Sequence, residues 1–139
     1  MIASGSLTIP SRTTAIDDAR RWSTGHLSAA GASAEAVWAV ELALTEALSN
    51  VIRHGYAGDE TQQIELELEL HDDRLELRIT DFGAAFDEDA YTEPDLDASP
   101  AGGYGVHLIG ELMDEVQRTA TTGRGTCLRL VKRRWKETR

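Results

Sequence analysis

Residues 64–81 read Ile64-Glu65-Leu66-Glu67-Leu68-Glu69-Leu70-His71-Asp72-Asp73-Arg74-Leu75-Glu76-Leu77-Arg78-Ile79-Thr80-Asp81. The first half alternates apolar and acidic residues strictly, which is the pattern of a strand with one dry face and one wet face. Asp72-Asp73 makes the turn, and the return strand places Leu75, Leu77 and Ile79 on the dry face. By the same parity Asp81 falls on that face. A carboxylate turned inward costs several kcal/mol unless it is hydrogen-bonded or neutralised. Asp81 therefore either marks a strand that has just ended in solvent or has a specific donor to satisfy it.

On the N-terminal side, residues 33–54 place Val37, Val40, Leu44, Ala47, Leu48, Val51 and Ile52 at helical spacing behind Ser33, an N-cap residue type. An earlier helix is expected over residues 11–30, capped by Ser11 and closed by Gly31, with Ile16, Ala19, Trp22 or Ser23, and Leu27 inward. A short, partly apolar segment, residues 6–10, precedes it. On the C-terminal side, residues 82–104 show neither periodicity and read as a long loop, a length usual for lids and binding loops. A last helix starting at Gly105 or Val106 carries Val106, Ile109, Leu112, Met113 and Val116. After Gly123-Arg124-Gly125 a final strand spans residues 126–131, with Thr126, Leu128 and Leu130 on one side.

The chain has 139 residues and a formal net charge of −10, a size suited to one domain able to build a core without staples. The single cysteine, Cys127, excludes an internal disulfide and fits a reducing compartment. Residues 1–10 lack the pattern of a secretion signal and no apolar run reaches membrane-spanning length, so a cytoplasmic, membrane-free protein is expected. The acidic balance argues against direct nucleic-acid binding. Acids dominate residues 59–97, a possible docking surface for a basic partner, whereas residues 118–139 are basic and read at their end as a frayed tail.

Glu46, Asn50 and His54 recur every fourth residue and so share one helix face. An amide oxygen one turn from a carboxylate suits a hard cation and proton transfer, although such residues on a helix are usually just solvated. His54 reads as a cap on the helix C-terminus. Gly102-Gly103-Tyr104-Gly105 at a helix start exposes backbone N–H groups that can bind phosphate, or is simply a turn. It matches neither the Walker A nor the dinucleotide fingerprint.

Taken in order, Glu46-x-x-x-Asn50, Asp81-x-Gly83, an irregular loop, a Gly-x-Gly helix start and Gly125-Thr126 resemble the conserved boxes of the gyrase, Hsp90, histidine-kinase and MutL (GHKL) ATPase superfamily. Within it, Glu46-Ala47-Leu48-Ser49-Asn50-Val51-Ile52-Arg53-His54-Gly55-Tyr56 and Gly103-Tyr104-Gly105-Val106-His107-Leu108-Ile109 are similar to the anti-sigma-factor serine kinases of bacterial partner-switching systems.

The resemblance implies one histidine-kinase-like ATPase domain over residues 1–139 with a Bergerat-type ATP-binding fold. That fold is an α/β (α+β) sandwich, a mixed, mostly antiparallel sheet with helices on one face. It implies ATP or ADP with Mg²⁺. Asp81 would accept from the adenine amino group, Gly83 would allow the base to approach, and Thr126 would assist. Asn50 would hold the metal. Residues 103–105, namely Gly103, Tyr104 and Gly105, with Val106 beyond them, would cradle phosphate, and Glu46 would act as general base. The implied substrate is a serine on a STAS-domain anti-anti-sigma protein. The implied partners are a sigma factor, contacted through Arg20, and a second copy in a homodimer. The loop from 82 to 105 contains no Lys or Arg. Phosphoryl transfer usually employs a cation besides the metal, so the alternative is a nucleotide-binding partner module without kinase activity.

Overall fold

The alternating stretch forms the hairpin its pattern predicts. β2 (Gln63–Leu70) and β3 (Arg74–Asp81) are antiparallel, with Leu66 opposite Ile79 and Leu68 opposite Leu77. In this computed structural model, which describes residues 1–83, 103–121 and 125–137, the hairpin is the middle of a five-stranded sheet. β1 (Ala3–Pro10) lies outside β2, β5 (Thr126–Arg133) beside β3, and β4 (Glu115–Ala120) at the far edge. Among the described residues all four pairings are antiparallel, which fits the mostly antiparallel sheet expected and adds no parallel pair to it. The reason is the return of β5 as the hairpin partner of β4, into the place beside β3.

Three helices, α1 (Ala15–Ala29), α2 (Ala34–Asn50) and α3 (Gly103–Leu112), cover one face. Ile16, Ala19 and Leu27 of α1 and Val40, Leu44, Ala47 and Leu48 of α2 share one buried cluster with Ile64, Leu66, Leu68, Leu75, Leu77, Ile79, Leu128 and Leu130. Ser23 rather than Trp22 is the fully buried member of its pair. Ser33 caps α2 as expected, its Oγ accepting the Ala36 N–H at 3.1 Å. Among the described residues no helix is long and apolar enough to cross a membrane.

Several expectations fail for identifiable reasons. Ser11 does not cap α1, which starts at Ala15. Its buried hydroxyl donates to the Asp59 carbonyl at 2.6 Å and accepts the Gln62 N–H at 3.1 Å, tying the end of β1 to the approach to β2. Val116 belongs not to α3 but to β4, because α3 ends at Leu112. Nor is the basic tail frayed over its described residues, which run to 137. Trp135 is fully buried; its indole N–H donates to the His71 carbonyl at 2.9 Å, and its own carbonyl accepts the Ser33 N–H at 2.9 Å. The strap thereby joins the β2–β3 turn to the capping residue of α2, and Lys136 pairs with Asp72 at 2.6 Å.

Glu76 faces the open side of the sheet by parity, yet only 4% of it is exposed. The register sets Arg78 directly opposite Arg129, a repulsive cross-strand pair. Glu76 relieves it, accepting from Arg129 at 2.6 Å, Arg78 at 2.9 Å and Arg74 at 3.0 Å. The Arg129 hydrogen bond is the main reason the carboxyl is held down at about 2, against an ordinary 4.5, while burial opposes it. The network's contribution is therefore complete above the ordinary value and is lost as pH falls toward about 2. By linkage that contribution amounts to at most roughly 3 kcal/mol. Glu76→Gln is expected to lower stability at neutral pH and to flatten the acid limb of a pH series of denaturant melts; an unchanged acid limb would show that other carboxylates govern it.

Candidate functional site

The face of α2 that carries Glu46 and Asn50 leads into a change of helical pitch. Residues Val51–Gly55 form a π-helical turn, closed by the Tyr56 N–H donating to the Val51 carbonyl at 2.9 Å. Such turns cluster at functional sites because they redirect side chains that a regular helix would hold in line. Asn50 immediately precedes it. The amide oxygen of Asn50 is buried and has no hydrogen-bond partner among the described residues. A buried acceptor in that state costs its desolvation unless a ligand completes it, and an amide oxygen suits a hard cation such as Mg²⁺. Glu46 sits one turn earlier and is half-buried. His54 lies within the π turn and is exposed.

The π turn packs against the end of β3. Asp81 is 5% exposed and inward-facing, as its parity required. Its Oδ1 accepts the Gly83 N–H at 3.0 Å. Burial pushes its carboxyl up from the ordinary range, while the backbone N–H groups of Gly83 and Thr126 pull it partly back. Thr126 is the β5 residue directly opposite Asp81 and is also buried. Gly55 bridges the two halves of the site: a Cβ there would stand 3.6 Å from Asp81 Oδ1 and 3.7 Å from Val51 Cγ1.

Gly83 also has a structural role beside the one expected. A Cβ at that position would lie 2.0 Å from the Gly55 carbonyl oxygen, so the missing side chain lets the strand end close onto the π turn. Gly125, at φ +107°, is likewise required, since a Cβ would meet the Asp81 carbonyl oxygen at 2.0 Å. In sequence Gly55 and Tyr56 close the quoted helix motif, where Gly55 reads only as the break that ends the helix. Tyr56 is buried, and burial is the main reason its phenol is pushed up.

Gly103, Tyr104, Gly105 and Val106 form the first turn of α3, which packs beside α2. The acidic loop expected between Gly83 and this helix lies outside the described residues. Arg20 does not join the cluster. It lines a surface hollow between α1 and α2 with Asp17, Thr24 and Glu41. There Nη1 donates to Asp17 at 3.1 Å and Nη2 lies 3.9 Å from Glu41, while the buried Nε has no partner among the described residues.

This arrangement, an inward carboxylate at a strand end facing a helix with a free amide oxygen, coincides with a family match. The histidine kinase-like ATPase domain model matches residues 9–132. The chain belongs to that family. Relatives include the serine-protein kinase RsbW of Listeria innocua, 31% identical over 119 residues, covering 80% of this chain and 76% of that protein. The RsbW of Halalkalibacterium halodurans is 31% identical over 125 residues, covering 84% and 76%. The chain is thus an RsbW-like member of the histidine kinase-like ATPases. Among solved structures, the RsbU and RsbW domains of Rv1364c from Mycobacterium tuberculosis superpose with a TM-score of 0.67 at 19% identity. That match covers 94% of this chain and 32% of the other, and at such identity it speaks for the fold alone. The same holds for the histidine kinase domain of the Erythrobacter litoralis EL346 blue-light activated kinase, with a TM-score of 0.57, 19% identity, and coverage of 90% and 61%.

Because burial disfavours the ionised carboxyl, Asp81 costs the empty protein stability that an isosteric amide would not. Asp81→Asn is expected to leave the melting temperature unchanged or slightly higher; if Asp81 holds the adenine amino group, as proposed below, it should also weaken ATP binding at least tenfold, because the amide NH₂ would then face that group donor to donor (a loss of about 1.4 kcal/mol or more). Calorimetric titration beside a thermal melt reads both. A destabilised variant with undiminished ATP affinity would contradict the assignment.

Proposed function

We propose that this chain is an ATP- and Mg²⁺-dependent protein serine kinase acting on a STAS-domain anti-anti-sigma protein, and that it sequesters a sigma factor in the alternative complex of a partner switch. The observation that carries this reading is the buried Asn50 Oδ1 without a partner, on the helix that also bears Glu46, next to the turn that packs against Asp81. The residues present fit the nucleotide and its metal.

Asp81 would accept from the adenine amino group, with Thr126 beside it and Gly83 turning the chain. Asn50 would supply one oxygen to Mg²⁺. The other ligands would be phosphate and water, as is usual for Mg²⁺. The metal, when bound, would neutralise charge on the phosphates. The first turn of α3, residues 103–106, offers N–H groups to them. Glu46 would take the proton of the substrate serine hydroxyl as its oxygen attacks the γ-phosphorus of ATP and ADP leaves with the bridging oxygen. The Arg20 hollow, with its unsatisfied Nε, is the proposed contact for the sigma factor. Within this reading the protein works in the cytoplasm as a homodimer and touches neither membrane nor nucleic acid directly.

The absence of Lys and Arg from residues 82–105 favours a second reading, in which bound nucleotide gates partner binding and no phosphoryl group moves. Incubation with ATP, Mg²⁺ and the STAS protein, followed by mass spectrometry, separates the two. The kinase reading expects phosphoserine, and a loss of about 10²-fold or more in rate for Glu46→Gln with ATP affinity retained. Asn50→Ala is expected to remove the Mg²⁺ dependence of ATP binding. Tight Mg²⁺-dependent binding with no phosphoserine would establish the gating module instead, and transfer by Glu46→Gln at the unmodified rate would remove Glu46 from the role of base.

A further inference from the structure

The hydroxyl of Tyr56 occupies an unusual place. It donates to the Gln63 carbonyl at 2.5 Å and accepts the Phe82 N–H at 2.8 Å. The β2–β3 ladder sets Glu65 opposite Thr80, and two further steps of that register would set Gln63 opposite Phe82. The phenol therefore stands between two backbone groups that a continued ladder would bring together. Its ring lies against Gly83, with Cδ1 2.9 Å from where a Cβ would be. Beyond this wedge the chain leaves β2 and turns, so that the Gly83 N–H reaches back to Asp81 Oδ1 at 3.0 Å. Tyr56 also closes the π turn through its own N–H, five residues from Val51. One residue thus joins the turn that follows Asn50 to the strand end that carries Asp81.

We propose that Tyr56 is a positioning residue for base recognition: its hydroxyl holds the end of β3 apart from β2 and thereby fixes the direction in which the Asp81 carboxylate meets the 6-amino group of adenine. The inference rests on the nucleotide-binding reading above. Tyr56→Phe keeps the ring that packs on Gly83 and removes both hydrogen bonds. Phe82 N–H and the Gln63 carbonyl are then left to pair directly or to open, and either outcome re-aims Asp81.

The test compares ATP with purine riboside triphosphate, which lacks the 6-amino group, by calorimetry on the unmodified protein and on Tyr56→Phe. The unmodified protein should favour ATP. In Tyr56→Phe that preference should shrink by about tenfold, the worth of one well-placed hydrogen bond, while affinity for the analogue changes little. An unaltered preference overturns the proposal, including the case in which both affinities fall together, as a merely structural role would make them. A second readout needs no variant. Hydrogen exchange at the Phe82 amide of the unmodified protein should slow more with ATP bound than with the analogue bound, and equal slowing by both overturns the proposal. Binding of neither triphosphate by the unmodified protein would overturn the nucleotide reading itself, and this proposal with it.

Discussion

An inward carboxylate at the end of a strand must find donors, and the position of Asp81 imposes that requirement on everything near it. Its parity is set by the leucines of β3, which cannot leave the core without exposing the whole strand. The Gly83 N–H supplies one bond, and the pairing with Thr126 supplies buried polar surroundings. These do not offset burial, and the carboxyl stays above its ordinary range. Such a group is a standing cost in the empty fold, and the cost becomes specificity when a ligand brings a donor.

The second half of the site is placed by the same constraint. Gly83 and Gly125 lack side chains where the strand ends close onto the π turn and onto Asp81, so the distance between helix and sheet is set by backbone contact rather than by adjustable side chains. The helix that bears Glu46 and Asn50 is fixed at its other end by the Ser33 cap, whose N–H is held by the Trp135 carbonyl. Rigid elements at both ends hold the amide oxygen and the carboxylate in a constant relation, as a binding site for a long ligand requires.

Local patterns made much of this legible. The alternation over residues 64–70, the parity of Asp81 and the shared helix face of Glu46 and Asn50 follow from periodicity, the Ser33 cap follows from residue type, and all agree with the structure. What stayed hidden depends on partners distant in sequence. The burial of Glu76 needs Arg129 from another strand; on its own strand it reads as a solvated residue. Trp135 is held by residues more than sixty positions away, and Ser11 by a segment nearly fifty positions on. Val51 and Ile52 continue the apolar stripe of α2 in sequence, so nothing in the pattern announces the change to π pitch. Val116 fits the period of α3 as readily as that of a strand, because a single apolar residue suits either, and β4 has no fully buried position to mark it.

The direct measurement is the titration of the Asp81 side-chain carboxyl, followed by ¹³C NMR over pH with and without saturating ATP. An inward carboxylate that waits for the adenine amino group should titrate above its ordinary value in the free protein and shift downward when ATP binds, because the ligand then favours the ionised form. A free-protein midpoint at or below the ordinary value, or one that ATP leaves unmoved, would contradict the placement of Asp81 at the centre of the site.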